Sequence, residues 1–536
     1  MDLKQEVQAW IADDPDPKTA AQLQQWLDSN NEVELRTSFS GFLQFGTAGL
    51  RGPIRPGPSG MNRAVVGRTA AGIAAYMKER NLTSVVIGRD ARYGSEDFTF
   101  ETAQIMSGAG MKVYVLPRPL PTPVLAFATN ELKCDVGIMV TASHNPPQDN
   151  GYKVYLGGTV DGIHYRGSQI VSPTDESIAQ KIDSITSLAS QPRGKEWTVL
   201  GEEVVDKYVG ITAALAHKPG NLKIVYTAMH GVGTETLQRV FHKAGFQQTI
   251  LVESQAKPDP DFPTVAFPNP EEPGAIDLAL ETARTFDADL VIANDPDADR
   301  CAAAVKDPIN GWRMLRGDEL GVILGETIAR ATTQGILANS IVSSSILSKI
   351  AAHYKLDFKE TLTGFKWLAK IDGLTFGYEE ALGYAVDAVT VNDKDGISAA
   401  IKLAQIATDL AAQNKTLLDL LDEVWVRHGF HATEQISIRL SDLSQVGVIM
   451  GNLRSNSPKE IAGRSVTSID DLAKPKDGLP PTDGLRIWLD GGIRIIIRPS
   501  GTEAKMKCYI EAIAKDSATA QTVLDQLRAP LKELLS

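Results

Sequence analysis

The chain has 536 residues, of which 43% are hydrophobic and 22% charged, and its formal net charge is −12. This length exceeds what one hydrophobic core supports, so we expect three or four domains. The acidic balance argues against a general nucleic-acid or anionic-membrane partner, but it is compatible with small anionic substrates in a local basic pocket.

Residues 1–40 are predicted to be helical. Val7, Trp10 and Ile11 recur with the spacing of one helix face. Asp16-Pro17 is typical of a cap followed by proline at the first helical position. We interpret this part of the chain as an N-terminal helical extension.

The next segment, residues 45–52, is rich in glycine and contains Arg51. Such a segment lets backbone N–H groups approach a phosphate group. It lacks the lysine and hydroxyl order of a P-loop, so an ordinary turn fits it equally well.

Three similar mixed α/β domains are predicted for residues 41–210, 211–315 and 316–428. Each opens with a strand that runs into a turn and a helix, and a second strand ends in a polar loop some 40 to 70 residues later. The predicted opening strands are 84–88, 222–226 and 340–345, and the second strands are 136–140, 289–293 and 374–376. We expect mostly parallel sheets with helices on both faces.

The last segment, residues 429–536, has a different character. Apolar and polar residues alternate over 435–440 and 505–511, and Asp490-Gly491-Gly492 is a hairpin signal. With a helix predicted for 517–535, this is an antiparallel α+β domain.

Ser143 lies in the stretch that carries the clearest chemistry. An apolar strand over 136–140 runs into Thr141–Lys153, where two prolines and Asn150-Gly151 predict a shaped loop. Ser143 therefore follows the carboxyl end of a strand, where open α/β sheets bind ligands. His144 adjoins it and Lys153 closes the loop, although a surface loop with an incidental serine is the alternative.

Asp295, Asp297 and Asp299 alternate along a segment that we predict to be extended, so their carboxylates can converge on Mg²⁺. An EF-hand is excluded, because Arg300 replaces its glycine and Lys306 its glutamate. A haloacid-dehalogenase-type nucleophile or a solvated acidic turn are the alternatives. Three like charges after a buried strand favour a metal site.

Further binding groups follow two later strands. Arg498, Ser500, Gly501 and Thr502 offer a guanidinium, two hydroxyls and an open backbone, as a phosphate site requires. The pair Glu379-Glu380 suits the hydroxyls of a sugar, and Lys366 adds a cation on a small loop. Each of these has an ordinary structural explanation when it is considered alone.

Taken together, a serine, a metal loop, a hydroxyl-binding pair and a phosphate-binding loop indicate phosphoryl transfer on a sugar phosphate. A serine hydrolase would need Gly-x-Ser-x-Gly, which the surroundings of Ser143 lack. It would also leave the aspartate and arginine loops without a role.

Four stretches resemble the signature loops of the α-D-phosphohexomutase superfamily: residues 141–146, 295–300, 379–380 and 498–503. They occur in the family's order across nearly the whole chain. The resemblance implies an enzyme of four domains around a central cleft. It also implies that Ser143 carries a phosphoryl group and binds Mg²⁺ with Asp295, Asp297 and Asp299.

By the same resemblance, Glu379 and Glu380 bind sugar hydroxyls, while Arg498, Ser500, Gly501 and Thr502 bind the phosphate that is not transferred. Arg51, Arg300, Lys153 and Lys366 match cations of the family's cleft. The sugar loop departs from the family's commonest form, because Tyr384 replaces a histidine that often assists proton transfer. Other features resemble the phosphoglucomutase-2/phosphopentomutase-like branch, which includes glucose, mannose and pentose phosphate enzymes.

We therefore expect a mutase that interconverts a sugar 1-phosphate and its 6-phosphate through a phosphoserine and a bisphosphate intermediate. Glucose 1-phosphate is the expected substrate, with a phosphomannomutase, a phosphopentomutase or a non-catalytic sugar-phosphate-binding protein as alternatives. Lys153 is the first candidate for general acid/base catalysis and His144 the second. Mg²⁺ is the expected cofactor, and a sugar 1,6-bisphosphate the expected activator.

Cys134, Cys301 and Cys508 form no short pairing motif, which suits a reducing compartment. The N-terminus has no signal-peptide pattern, and no run of 18 apolar residues occurs. A cytoplasmic protein is therefore predicted, while the sequence leaves monomer or dimer open.

Overall fold

The computed structural model describes residues 2–47, 49–309, 311–476, 478–500 and 505–535. Its residues form two compact units. The first contains Met1–Leu315, Ala369–Asp372 and Ala381–Asp409, and the second contains Arg316–Leu368, Gly373–Glu380 and Leu410–Ser536.

The first unit begins with three helices: α1 (Leu3–Asp13), α2 (Pro17–Asp28) and α3 (Glu32–Ser38). The Asp16 side chain accepts a hydrogen bond from Lys18 N, and Pro17 opens α2, as the sequence predicts. Val7, Leu23 and Leu35 form a small core between the helices.

The next part of this unit builds a seven-stranded sheet covered by helices. Its helices are α4 (Arg63–Glu79), α5 (Ser95–Gly108), α6 (Thr122–Glu131) and α7 (Thr174–Asp183). The strands of this part are β1 (Leu50–Pro53), β2 (Ser84–Arg89), β3 (Lys112–Val115), β4 (Val136–Val140), β5 (Asp149–Leu156), β6 (Thr159–Val160), β7 (Ile163–His164), β8 (Ser168–Gln169) and β9 (Thr198–Val199). The order is β1-β5-β4-β2-β3-β9, with β8 on β5, while β6 and β7 form a separate hairpin.

The predicted loop Thr141–Lys153 is wrong in its second half, because β5 begins at Asp149 and Lys153 lies inside it. Strand β5 pairs antiparallel with both β1 and β4, and these pairings outweigh the turn preference of Asn150-Gly151. Glycine is required there, since a Cβ on Gly151 would lie 2.5 Å from Thr141 O.

A five-stranded sheet follows in the same unit. Its elements are α8 (Glu203–Ala213), β10 (Ile224–Thr227), α9 (Gly233–Lys243), β11 (Thr249–Leu251), a 3₁₀ turn (Glu253–Gln255), α10 (Asp277–Thr285), β12 (Leu290–Ala293), β13 (Ala302–Asp307) and β14 (Gly311–Met314). The order is β11-β10-β12-β13-β14. Strands β11, β10 and β12 are parallel, and β13 pairs antiparallel with both β12 and β14.

The second unit begins with α11 (Gly317–Ala331), β15 (Ile336–Ser340), α12 (Ile346–Tyr354), β16 (Asp357–Thr361), α13 (Phe365–Leu368) and β17 (Leu374–Glu379). Strands β16 and β17 flank β15 in parallel. Strand β18 (Gly383–Ala385) and most of α14 (Gly396–Ala411) belong to the first unit.

Two strand predictions in this region are wrong. The predicted strand 340–345 ends at Ser340, because Asp318 and Glu511 accept the N–H groups of Ser344 and Ser345, which a sheet would otherwise use. The strand predicted for 374–376 continues to Glu379, since Gly377 and Tyr378 pair with β15.

The remainder of the second unit is α15 (Leu417–His428), β19 (Phe430–Arg439), α16 (Leu443–Ser455), β20 (Glu460–Ile461), β21 (Arg464–Asp471), β22 (Leu485–Leu489), β23 (Ile493–Pro499), β24 (Lys505–Ala514) and α17 (Ser517–Leu534). Six strands form an antiparallel sheet in the order β19-β24-β23-β22-β21-β20, and α17 packs on it through Leu524, Leu527 and Leu531. The predicted hairpin at 490–492 is confirmed. Three mixed or parallel α/β sheets and one antiparallel α+β sheet confirm the predicted fold class.

Candidate active site

Ser143 and Asp295 meet in the first unit, where each follows the carboxyl end of a strand. Ser143 Oγ donates a hydrogen bond to Asp295 Oδ2 at 2.8 Å and lies 3.1 Å from His144 Nδ1. Ser143 is 3% exposed, and its φ of 52° lies in the left-handed region that a serine rarely adopts. A buried serine in a strained conformation next to a carboxylate is typical of a functional site.

Arg92 fixes the loop that carries Ser143. Its Nη2 donates to Ser143 O and Asn145 O, both at 2.6 Å, and its Nη1 donates to Pro146 O at 2.8 Å and Asp149 O at 3.2 Å. One buried guanidinium therefore binds four carbonyl groups of the loop, which explains how the left-handed conformation of Ser143 is held.

The three aspartates converge, although not on an extended segment as predicted. Ala298 N donates to Asp295 O at 2.8 Å, so residues 295–298 form a turn with Pro296 at its second position, where proline is favoured. Asp295, Asp297 and Asp299 are at most 1% exposed, and one carboxylate oxygen of each lies within 4.8 Å of the others.

Cations balance part of this charge. Lys153 Nζ lies 2.7 Å from Asp297 Oδ2 and 2.8 Å from Asp299 Oδ2, and Lys394 Nζ lies 3.1 Å from Asp299 Oδ2. Burial and the two neighbouring carboxylates hold the pKa of Asp295 well above its usual range. Burial also pushes the pKa of Asp297 and Asp299 upward, but Lys153 together with Thr122 at Asp297, and with Lys394 and Arg300 at Asp299, holds the pKa of both carboxylates below its usual range.

The arrangement fits a divalent cation. Oδ1 of Asp297 and Oδ1 of Asp299 are buried, and no residue that the structure describes donates a hydrogen bond to them. Buried anionic oxygens without partners are costly, and oxygen ligands of this kind are those that Mg²⁺ prefers. With Ser143 Oγ beside Asp295, the residues can bind Mg²⁺ next to a phosphoryl group.

The other cations predicted for this site also lie around it. Arg51 Nη1 donates to Asn145 Oδ1 at 3.1 Å, and Arg51 interacts electrostatically with Asp297, Asp299 and Arg300. Burial and the charges of Arg300 and Arg51 hold the pKa of His144 well below its usual range, so its imidazole is neutral.

The second unit brings the predicted sugar and phosphate groups together around Thr363-Gly364. Arg498 Nη1 donates to Thr363 Oγ1 at 2.6 Å, and Gly364 N donates to Glu379 Oε1 at 2.6 Å. Lys366 follows on α13. Burial and the charges of Glu379 and Asp318 raise the pKa of Glu380 to about 7.

The structure describes part of the predicted phosphate loop. Ser500 is half-buried and its N–H donates to Lys505 O at 2.8 Å. Gly501 and Thr502 lie outside the residues that the structure describes, so their predicted role stays a prediction. Tyr384, which replaces the family's histidine, is fully buried.

Sequence reasoning missed Arg92, Lys394 and Thr122, whose Oγ1 donates to Asp297 Oδ2 at 2.6 Å. Arg92 follows strand β2, which pairs in parallel with β4, the strand before Ser143. Ligands bind at the carboxyl ends of such strands, so the position of Arg92 was a signal that could have identified it. Lys394 and Thr122 lie far from the motifs in sequence, and nothing in their surroundings indicates the site.

A serine beside a carboxylate triad, with cations and a separate arginine loop, defines a phosphoryl-transfer enzyme, and comparisons with known proteins agree. Residues 43–189, 204–311 and 316–428 match alpha/beta/alpha domains I, II and III of phosphoglucomutase/phosphomannomutase, and residues 451–529 match its C-terminal domain. The chain belongs to the phosphoglucomutase/phosphomannomutase family. It is a mutase, an isomerase that acts as an intramolecular phosphotransferase.

Similar proteins carry the names of different sugars. The chain is 48% identical to the "Probable phosphomannomutase" of Haemophilus influenzae, over 89% of this chain and 98% of that protein. It is 34% identical to the phosphopentomutase of Mus musculus, over 99% and 94% of the two chains, and 34% identical to the phosphoglucomutase of Staphylococcus haemolyticus, over 90% and 92%. These relatives are all mutases of one family, but their names give different sugars. Among the residues that the structure describes, no helix is long and apolar enough to cross a membrane.

Proposed function

We propose that Ser143 carries the phosphoryl group in a mutase that interconverts a sugar 1-phosphate and its 6-phosphate, with glucose 1-phosphate as substrate. The observation that carries this proposal is the contact between Ser143 Oγ and Asp295 Oδ2, next to two buried carboxylate oxygens that have no hydrogen-bond partner within the described part of the chain. A serine hydrolase would have no use for that triad.

The charge of the site supports an anionic substrate. The three aspartates lie near four cations, which are Arg51, Lys153, Arg300 and Lys394, whereas the nearby Arg92 pairs with the buried Asp90. A phosphoserine adds about −1.5 to −2 charges at neutral pH, and a sugar phosphate adds a similar amount. The cations offset part of this charge, and Mg²⁺ bound by Ser143, Asp295, Asp297 and Asp299 would supply further positive charge at the transferred oxygen atoms.

In the first step, the free sugar hydroxyl attacks the phosphorus, the Ser143 Oγ–P bond breaks, and a sugar bisphosphate forms. The hydroxyl proton passes to a base, and Ser143 Oγ regains a proton. The bisphosphate then binds in the opposite orientation and returns its other phosphoryl group to Ser143. Lys153 and His144 are the candidates for proton transfer. Lys153 Nζ contacts Asp297 of the triad, and His144 Nδ1 lies within hydrogen-bond distance of Ser143 Oγ.

The second unit supplies groups for the part of the substrate that does not react. Arg498, Ser500, Gly501, Thr502 and Lys366 would bind the phosphate that stays on the sugar, and Glu379 and Glu380 would accept hydrogen bonds from its hydroxyls. Because the bisphosphate turns between the two steps, this phosphate site must accept either end of the sugar.

A kinetic panel tests the proposal. Glucose, mannose, N-acetylglucosamine and ribose 1-phosphates are offered with Mg²⁺, with and without glucose 1,6-bisphosphate, which we propose as activator. We expect turnover of glucose 1-phosphate, stimulation by the bisphosphate, and loss of turnover in Ser143→Ala. A preference for mannose or ribose 1-phosphate would replace glucose in this proposal, and full turnover by Ser143→Ala would remove the phosphoserine.

Two further parts of the proposal are independent of the sugar. Cys134, Cys301 and Cys508 are buried and unpaired, which supports a reducing compartment such as the cytoplasm. We also propose domain limits near residues 40, 210, 315 and 428.

A further inference from the structure

Residues Ser340–Ser345, which we name the serine loop, connect β15 to α12 and have no role in the reaction described above. Ser343 Oγ accepts a hydrogen bond from Glu380 N at 3.0 Å and lies 3.0 Å from Glu380 Oε2. Ser340 Oγ lies 3.1 Å from the same Oε2 and 2.9 Å from Ser343 Oγ. Both serines are 0% exposed.

The number of available protons limits how these groups interact. The two hydroxyls have two protons for three oxygen–oxygen contacts, and an ionised carboxylate has none to donate. At least one hydroxyl therefore donates to Oε2 of Glu380. No other residue that the structure describes donates to Oε1, so the carboxylate is bound through one oxygen and can accept a ligand's hydrogen bond through the other.

The serine loop is itself held rigidly. Arg494 Nη1 donates to Ile341 O at 3.0 Å, and Arg494 Nη2 donates to Ser343 O. Glu511 accepts from Ser344 Oγ at 2.6 Å and forms an ion pair with Arg494 at 2.9 Å. Strands β23 and β24 thereby fix the backbone of Ser343, which cannot move without breaking buried charged contacts.

We infer that Ser343, together with Ser340, is a positioning residue that orients Glu380 toward a hydroxyl group of the sugar. This inference rests on the proposed function, because it takes the sugar hydroxyls as the ligand of Glu380. A carboxylate held in one orientation selects a ligand with a hydrogen-bond donor at one place. The serine loop therefore contributes to the choice among sugars without touching the sugar.

The competing explanation is that the two hydroxyls only stabilise the connection between β15 and α12. The two explanations differ in what happens once Glu380 is absent. A positioning residue has no further effect on sugar binding in a Glu380→Ala background, whereas a structural residue has the same effect in both backgrounds.

The experiment measures binding of glucose, mannose and ribose 1-phosphates by titration calorimetry. The variants are Ser343→Ala, Glu380→Ala and their combination, with Ser340→Ala as a second probe in case Ser343→Ala does not fold. Ser348→Ala is the matched control, because its hydroxyl donates to Ser345 O at 2.7 Å and is far from Glu380 in the hydrogen-bond network.

We expect Ser343→Ala to raise the dissociation constant about ten- to a hundredfold, which is the value of a hydrogen bond to a charged group. Ser340→Ala should act in the same direction, Ser348→Ala should stay within about twofold of the unchanged protein, and Ser343→Ala should add nothing to Glu380→Ala. Unchanged binding in Ser343→Ala, an equal loss in Ser348→Ala, or additive losses in the double variant would each overturn the inference.

A second readout separates this inference from the proposed function. The intact mass of the same proteins, after incubation to completion with a saturating excess of glucose 1,6-bisphosphate, reports whether Ser143 is phosphorylated. At saturation the weaker sugar binding of Ser343→Ala should not lower the final extent of phosphorylation. Phosphorylated Ser143 with normal binding in Ser343→Ala contradicts only the inference. An absence of both phosphorylation and sugar-phosphate binding in the unchanged protein contradicts both.

Discussion

Arg92 offers the sharpest test of how the loop around Ser143 is held. Arg92→Met removes four hydrogen bonds from a cation to loop carbonyls, each worth about 1.5–3 kcal/mol and not additive. It also leaves Asp90, a buried carboxylate 3.4 Å from Arg92 Nε, without its cation. Removing one partner of such a pair costs about 3–5 kcal/mol.

We therefore expect Arg92→Met to lower the free energy of unfolding by about 3–5 kcal/mol. The left-handed conformation of Ser143 should relax, and a displacement of Oγ by about 1 Å lowers the rate about a hundredfold. The assay is the rate at which glucose 1,6-bisphosphate phosphorylates Ser143, followed by quenching and intact-mass measurement, with urea denaturation in parallel.

Arg89→Met is the matched control, because Arg89 lies at the end of β2 and forms one ion pair with the exposed Glu96, which is worth at most about 1 kcal/mol. Phosphorylation of Arg92→Met within about threefold of the Arg89→Met rate would refute the reasoning.

Three other predictions concern the aspartate triad, Arg498 and Glu380. Chelation with EDTA should abolish turnover and Mg²⁺ should restore it, since Asp297 and Asp299 each have a buried oxygen to which none of the described residues donates. Full turnover by metal-stripped protein would contradict this. Arg498→Ala should raise KM more than it lowers kcat, because a phosphate-binding group stabilises ground and transition states alike; an unchanged KM would place the phosphate site elsewhere. Burial raises the pKa of Glu380 to about 7, and the carboxylate must be ionised for its open oxygen to accept freely from a sugar hydroxyl, so affinity should fall as the pH drops below about 7. Glu380→Gln should remove that component of the pH profile, and an identical profile in both proteins would contradict it.

The sequence was sufficient to predict the strands that precede the two reactive loops of the first unit. The apolar runs before Ser143 and Asp295 are buried strands as predicted, because a continuous apolar run between turn signals has few other conformations. Pairing partners were not predictable in this way. Asn150-Gly151 lies in a strand because β1 and β4 lie on either side of it, and no local preference indicates such neighbours.

The candidate site was predicted where its residues adjoin one another in sequence. The convergence of Asp295, Asp297 and Asp299 follows from their spacing, although a turn and not an extended segment brings them together. Arg92, Lys394 and the serine loop were missed because their roles depend on contacts between residues that lie far apart in the sequence. The roles given to Ser143, Lys153, Arg51 and Arg300 stay predictions.

Phosphorylation of Ser143 is the central claim, and mass spectrometry measures it directly. Protein purified without phosphatase treatment should contain a fraction about 80 Da heavier, the mass of one phosphoryl group. Glucose 1,6-bisphosphate should enlarge that fraction, peptide mapping should place it on Ser143, and Ser143→Ala should show neither the added mass nor mutase turnover. A protein that interconverts sugar 1- and 6-phosphates while Ser143 stays unmodified, or a Ser143→Ala variant with near-normal turnover, would contradict the account.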